Sequence, residues 1–345
     1  MDSPPSAKPS GAVIEIGNKC NLNCLSCETQ KSKRPHEEMD CELFEKVVDM
    51  YLEMGFKTIW LHTNNEPLFN KNIIELCHIL NDRRLNIHIS TNGMLVRSFI
   101  DEYVKAGLDI ALLDFRYSID GGNKETFERL RRGASFPVLM EGLQHLTCIY
   151  KQQGRKAKLS VNYNLSKDTL KEVPEFMDKF SSYFGRKFLY PNYTFRLLDT
   201  RGVYKKKEYV NKLWDKEHLK YPVVNAPCWQ PFRTFATLYD GRVTGCCGDY
   251  DGDLVVGDVH DSSIKEIWNN SQMNKLRNAH INKDLTEFPK CRRCFRPSYT
   301  LMRAVDAYIR AVALPKNMSD GDLLEKDVKS FISKIVPKLN KTKLV

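Results

Sequence analysis

The chain has 345 residues, of which 42% are hydrophobic and 28% charged. That composition fits a soluble globular protein with one large or two modest domains and excludes a disordered or fibrous one. No run of about 18 apolar residues is present, which excludes a membrane-spanning helix, and the net charge of +10 reads as a lysine-rich solvated surface, since no nucleic-acid-binding motif accompanies it.

The opening "MDSPPSAKPSG" (1–11) lacks the charged-then-apolar build of a signal peptide and reads as a disordered lead-in, so a cytoplasmic location is the expectation. A β-rich run, "AVIEIG" (12–17), is followed by helical spacing in "CELFEKVVDMYLEMG" (41–55). The alternation continues with a strand at 57–62, a helix at 70–83, a strand at 86–91 and a helix near 96–106. A strand-rich run at 109–119 precedes two helical segments, "NKETFERLRRG" and "PVLMEGLQHLTCIYKQQG", then a strand at 156–164, a helix at 170–184 and a sixth strand at 193–198. Strands alternating with helices pair in parallel through right-handed crossovers, and about six units suit an open, partial (β/α)6 barrel. Chemistry in such folds gathers at the C-terminal strand ends.

After residue 200 the pattern changes. A basic connector (201–222) leads to a cysteine-bearing region (223–300), whose "TFATLYDGRVTGCC" reads as two strands around an Asp240-Gly241 turn. "IKEIWNNSQMNKLRNAH" reads as a helix, and 301–345 as a helical extension ending in the amphipathic "DLLEKDVKSFISKIVPKLNK".

Eleven cysteines in a reducing compartment point to metal ligation before disulfides. Seven form compact groups: Cys20, Cys24 and Cys27 in "CNLNCLSC", then Cys228, Cys246, Cys291 and Cys294. Cys41, Cys77 and Cys148 lie in helical segments and read as small buried hydrophobes. A zinc site wants four ligands, so the first group stands one short. In a four-iron cluster, three thiolates leave one iron open to a substrate or cofactor.

C-x3-C-x2-C soon after the first strand of an α/β repeat resembles the radical S-adenosylmethionine (SAM) enzymes. The resemblance covers residues 12–200, the expected core. It implies a [4Fe–4S] cluster on Cys20, Cys24 and Cys27, with SAM on the open iron and reductive cleavage to a 5′-deoxyadenosyl radical that abstracts a substrate hydrogen. "HTNNEPLF" resembles the family's "GGEP" stretch, "ISTNGM" its "TNG", and "YSIDGGNKETFERLRRG" its "S-x-D-G" with a later "R-G". By position these nominate Glu66, Asn92, Ser118, Asp120 and Arg132 as SAM contacts. Two departures concern the approach of SAM: Asn64-Asn65 stand where the family often has Gly-Gly, and Ser26 where an aromatic residue is common.

The second group resembles the cysteine pattern of SPASM and twitch extensions. "CWQPFRTFATLYDGRVTGC" followed by "CRRC", with no further cysteine after it, implies one auxiliary [4Fe–4S] cluster on Cys228, Cys246, Cys291 and Cys294. Structural zinc on the same four thiolates is the alternative there. Use of both groups in a zinc-binding interaction module is the alternative of another class, and it leaves the strand-end motifs without a purpose.

Three reactions follow hydrogen abstraction: oxidation with the auxiliary cluster taking an electron, bond formation as in peptide maturases, and epimerisation with a thiol returning the hydrogen. Cys247, beside Cys246 and outside the four-ligand count, is the candidate hydrogen donor for the third. Many peptide-modifying relatives carry an N-terminal leader-binding domain, for which Cys20 comes early. The expectation is therefore dehydrogenation of a small sugar or aminocyclitol-like molecule, or modification of a peptide bound otherwise. The resemblance also implies a low-potential donor such as flavodoxin or ferredoxin; neither nucleic acid nor membrane is expected as a partner.

Overall fold

The computed structural model describes residues 9–184, 192–197, 228–294, 299–310 and 321–341. The connector 201–222 lies outside them. Six parallel strands form the core: β1 (Ala12–Ile14), β2 (Thr58–Leu61), β3 (Asn86–Thr91), β4 (Leu113–Ser118), β5 (Leu159–Leu165) and β6 (Tyr193–Leu197). They pair strictly in chain order, with crossovers through α1 (Cys41–Glu53), α2 (Ile73–Asp82), α3 (Val96–Lys105), α4 (Lys124–Leu130), α5 (Phe136–Gln152), α6 (Lys167–Lys171) and α7 (Val173–Phe184).

Side-chain alternation decides what each face does. In β4, Leu113, Phe115 and Tyr117 are buried while Asp114, Arg116 and Ser118 are half-buried. The first set joins Ile59, Leu61, Ile87, Ile89, Val161 and Tyr163 in the apolar core, which also takes in Phe44, Tyr51, Phe99 and Phe176 from the helices. Each large side chain so buried contributes roughly 1.5–3 kcal/mol. The opposite face is polar.

The expected strand from 109 begins at Leu113 instead. The Asp109 carboxylate accepts the Ala111 N–H at 2.9 Å and turns Ile110–Leu112 into a short 3-10 helix. Asparagine and aspartate favour such local bonds over a ladder.

The cysteine-bearing region continues the same sheet. β7 (Ala236–Thr237) pairs in parallel with β1, and β8 (Arg242–Thr244) and β9 (Val255–Asp258) follow antiparallel, giving nine strands in the order β6-β5-β4-β3-β2-β1-β7-β8-β9. The turn between β7 and β8 carries Gly241 at φ 87°, where a side chain would be strained. At the other end of the sheet, the helix Tyr299–Tyr308 shields β6: the Asp306 carboxylate accepts the Phe195 N–H at 2.9 Å. A bare edge donor is thereby satisfied. Helix Gly321–Lys341 packs beside it through the stacked Tyr308 and Phe331 rings, 4.1 Å apart.

Candidate active site

The loop after β1 carries Cys20, Cys24 and Cys27, all half-buried. Asn18 stitches its two limbs: Nδ2 donates to the Pro35 carbonyl at 2.8 Å, and Oδ1 accepts the Glu37 N–H at 3.0 Å. Gln30 reaches back across the loop to the carbonyls of Cys20 (2.6 Å) and Leu22 (2.9 Å). The loop also rests on the segment after β2 and on the end of α4. The Glu66 N–H donates to the Lys19 carbonyl (2.9 Å), Asn23 N–H to the Arg132 carbonyl (2.9 Å), and Leu25 N–H to the Leu130 carbonyl (2.9 Å).

Glu66 is buried, and its carboxylate bridges two strand ends. Oε1 accepts Thr91 Oγ1–H at 2.7 Å and Leu68 N–H at 3.2 Å, while Oε2 accepts Asn92 N–H at 2.7 Å. Burial raises its pKa to about 7 against these bonds. Asn92 donates from Nδ2 to Asn21 Oδ1 at 2.8 Å, and the same nitrogen lies 4.0 Å from Cys20 Sγ. Gly93, at φ 89°, lets the chain turn there; a Cβ would meet Leu139 at 2.6 Å.

Ser118 ends β4, in register with Asn162. Asp120 is buried and accepts from the Asn164 backbone (2.9 Å) and side chain (3.0 Å). Its other oxygen pairs with Arg131 at 2.7 Å, and Arg131 sits close enough to lower the pKa of Cys24. Arg132 is exposed and meets the cysteine loop through its backbone carbonyl. The structure thus brings Glu66, Asn92 and Asp120 to the loop, with Arg131 rather than Arg132 supplying the inward guanidinium. The adjacent arginines gave a signal that one faces inward, without saying which.

The donor set fits an iron–sulfur cluster with an open site. Burial, then the Glu66 carboxylate and the neighbouring thiols, pushes Cys20 up to about 12; burial pushes Cys24 up to about 11 despite Arg131. These three sulfurs lie within electrostatic reach of one another, a repulsion that bound metal would relieve. Thr29 Oγ1 sits 3.1 Å from Cys27 Sγ and donates to the Asn64 carbonyl at 2.9 Å. Among the described residues, no three His, Cys, Asp or Glu side chains close around a single ion.

The second group assembles from three places. Cys246 lies two residues beyond β8; its carbonyl accepts the Asp249 N–H at 3.0 Å, and its sulfur the Gly248 N–H at 3.4 Å. Cys291 lies on the helix Pro289–Arg293, with Cys294 just beyond it. Burial, then the proximity of Cys228 and Asp249, pushes Cys291 up to about 12. Asp249 ties the pieces together. It accepts Thr244 Oγ1–H (2.7 Å), Leu254 N–H (2.9 Å), Asp253 N–H (3.1 Å) and Lys290 Nζ (2.6 Å), and is fully buried. Neither Asp249 nor Lys290 stands in a motif that marks it from sequence. Cys247 is half-buried beside this cluster of residues.

The polar face of the sheet forms a third feature. His88 Nδ1 bonds Asp114 at 2.9 Å, its ring lies 4.2 Å from Trp60, and Arg116 sits 5.2 Å over the Trp60 ring. The His88 Nε2 atom is buried without a hydrogen-bond partner in the structure. Burial lowers the His88 pKa, so the ring is neutral and Asp114 selects the tautomer with hydrogen on Nδ1.

Comparison with known proteins assigns the two cysteine groups to two matched domains. Residues 14–179 match the radical SAM superfamily, and residues 228–295 match SPASM, an iron–sulfur cluster-binding domain. A GTP 3′,8-cyclase of Peptoclostridium acidaminophilum is 32% identical over 140 residues, 38% of this chain and 40% of that protein. The chain thus spans less than half the length of that relative. Among solved structures, BtrN in complex with AdoMet and 2-DOIA superposes with a TM-score of 0.51 at 18% identity, covering 85% of this chain and 94% of that one. Streptococcus suis SuiB bound to precursor peptide SuiA gives 0.59 at 12% identity, covering 79% of this chain and 67% of that one. At these identities the two structures establish the fold alone.

Proposed function

For a chain that carries a radical SAM domain followed by a SPASM-type iron–sulfur domain, we propose oxidation of a polar small molecule, with Cys20, Cys24 and Cys27 holding the SAM-binding cluster and Cys228, Cys246, Cys291 and Cys294 a single auxiliary cluster. When bound, these groups supply reductive SAM cleavage to a 5′-deoxyadenosyl radical and a one-electron acceptor. Glu66, fixed by Thr91 and Asn92, presents a buried carboxylate beside the cysteine loop, suited to an ammonium group. Asp120 and Arg131 form a paired polar wall on the other side. The face lined by Trp60, His88, Asp114 and Arg116 offers stacking and hydrogen-bonding groups to a polar substrate.

The observation that carries the oxidation reading is the contact between the two cysteine-bearing loops. Ser32 Oγ donates to the Tyr250 carbonyl at 2.8 Å, and the Lys33 N–H to Asp251 Oδ1 at 2.8 Å. A cluster held by the adjacent loop would lie within reach of an electron leaving a substrate held over the core. A low-potential flavodoxin or ferredoxin is the donor this chemistry calls for.

Two other readings have support. The cyclase relative points to a nucleotide substrate. Cys247, half-buried beside Cys246, suits a hydrogen-atom donor in epimerisation.

The test is anaerobic reconstitution with iron and zinc counted per chain, then SAM cleavage with dithionite across sugars, aminocyclitols, nucleotides and peptides. About eight irons with 5′-deoxyadenosine formed and substrate losing two hydrogens supports oxidation. Zinc in place of the second four irons removes the electron acceptor and overturns it. An epimerised product that disappears in Cys247→Ala selects the hydrogen-donor reading instead.

A further inference from the structure

We propose that Arg34 is the joint that holds the two cysteine-bearing loops in fixed relation, acting as a positioning residue for the pair of clusters; this rests on the two-cluster reading above. Arg34 lies seven residues beyond Cys27, Glu15 five before Cys20, and Tyr250 four after Cys246. A single guanidinium links all three. Its two terminal nitrogens donate to the two Glu15 oxygens at 2.7 and 3.0 Å, and Nε donates to the Tyr250 carbonyl at 2.9 Å. The group also sits 5.3 Å over the Tyr239 ring.

The joint is dry. The Arg34 and Glu15 side chains are 4% and 0% exposed. Glu15 Oε2 accepts a further bond from Thr63 Oγ1 at 2.6 Å, which anchors the pair to the end of β2. Burying a charge pair adds little net stability over an apolar pair of the same shape, yet removing one partner is costly. What such a pair supplies is directional specificity, and arginine supplies it in a form lysine lacks, through a planar fork with a third donor to the side.

Its neighbours repeat the same link. Ser32 Oγ and Lys33 N–H bond Tyr250 and Asp251, and Tyr239 O–H donates to the Pro35 carbonyl at 3.0 Å. The sheet alone joins the two regions more weakly, since β1 and β7 share one register pair, Ile14 with Thr237. The joint acts within seven residues of Cys27 and four of Cys246. Electron transfer weakens steeply with distance, so a fixed separation matters more here than added stability.

The experiment compares wild type with Arg34→Met, Arg34→Lys and the milder pair Ser32→Ala/Asp251→Ala, the last carrying the test should the first not fold. Each is reconstituted and its irons counted; pulsed EPR of the reduced protein then reads the magnetic coupling between the two clusters. Hydrogen exchange of residues 246–254 is followed with and without iron. The expected result is wild-type iron content and SAM cleavage, a broadened or weakened coupling, and exchange faster by about tenfold, equivalent to about 1.4 kcal/mol of local opening. Lysine should not rescue. Unchanged coupling and exchange in fully loaded variants overturn the joint while leaving two clusters in place. A wild-type protein with no second cluster overturns the two-cluster reading and the joint with it.

Discussion

The two cysteine-bearing regions reach similar donor sets by opposite routes. Cys20, Cys24 and Cys27 lie within one loop whose limbs are stitched by neutral bonds, Asn18 to Pro35 and Glu37 and Gln30 to Cys20 and Leu22, and by the Arg34–Glu15 and Lys19–Glu38 ion pairs. Cys228, Cys246, Cys291 and Cys294 come from separate segments, drawn together around the buried Asp249–Lys290 ion pair. A short loop pays little closure entropy and can be held by backbone bonds. A site closed over more than sixty residues spans separate segments, and the buried Asp249–Lys290 pair ties two of them. On the proposed two-cluster reading, the first region would serve chemistry at an open position and the second a fully ligated cluster.

The largest effect should come from emptying one side. Cys20→Ala/Cys24→Ala/Cys27→Ala should lose about four of about eight irons and all SAM cleavage. Cys291→Ala/Cys294→Ala should lose a similar number of irons but keep SAM cleavage without oxidised product. Iron analysis and 5′-deoxyadenosine assays on both variants check this. Equal loss of cleavage in the two would erase the division of labour.

Breaking a charged tie and a neutral one should differ in stability. Lys290→Met strands the Asp249 carboxylate in a dry site and should cost about 3 kcal/mol in the metal-free protein. Asn18→Ala removes neutral bonds and should cost about 1 kcal/mol. Denaturant unfolding of the two variants measures both, and comparable losses would contradict the distinction between the two kinds of tie.

Glu66 adds a pH signature found on the first side. Its pKa, raised from 4.5 to about 7 by burial, means the folded protein holds a proton that the unfolded chain releases between those values. Stability of the metal-free protein should then fall as pH rises from about 4.5 to about 7, by up to about 3 kcal/mol from this group. Glu66→Gln should flatten that window. A slope identical to wild type would mean that Glu66 ionises in the fold as it does in the open chain.

What was legible in the sequence followed from how local each feature is. The six core strands and the three-cysteine loop depend on neighbours in the chain, and their periodicity and spacing survive translation into structure. Glu66, Asn92 and Asp120 were nominated by the resemblance of their motifs to those of radical SAM enzymes, and all three follow strands of the parallel sheet at the end where loops converge. Arg34 with Glu15 and Lys290 with Asp249 were not. Each pairs residues from distant segments, and nothing in a local pattern distinguishes a lysine that will be buried from one that will be solvated. The strand expected from Asp109 shows the same limit on a smaller scale, since one side-chain bond at Ala111 moved its start to Leu113.

The smallest predicted effect separates two adjacent arginines. α4 ends at Leu130, and Arg131 leaves the helix at φ −106° and ψ 70°, which turns its side chain in toward Asp120 and leaves Arg132 exposed. Arg132 meets the cysteine loop only through its carbonyl, which accepts from Asn23 and survives any side-chain replacement. Arg132→Ala should therefore change stability by no more than about 0.5 kcal/mol and leave SAM cleavage within about twofold, whereas Arg131→Met strands Asp120 and should cost about 3 kcal/mol. Thermal unfolding together with SAM-cleavage rates on the two variants makes the comparison. A large effect at Arg132 alone would mean that its side chain turns inward when SAM is bound, and the assignment of the inward guanidinium to Arg131 would have to be reversed.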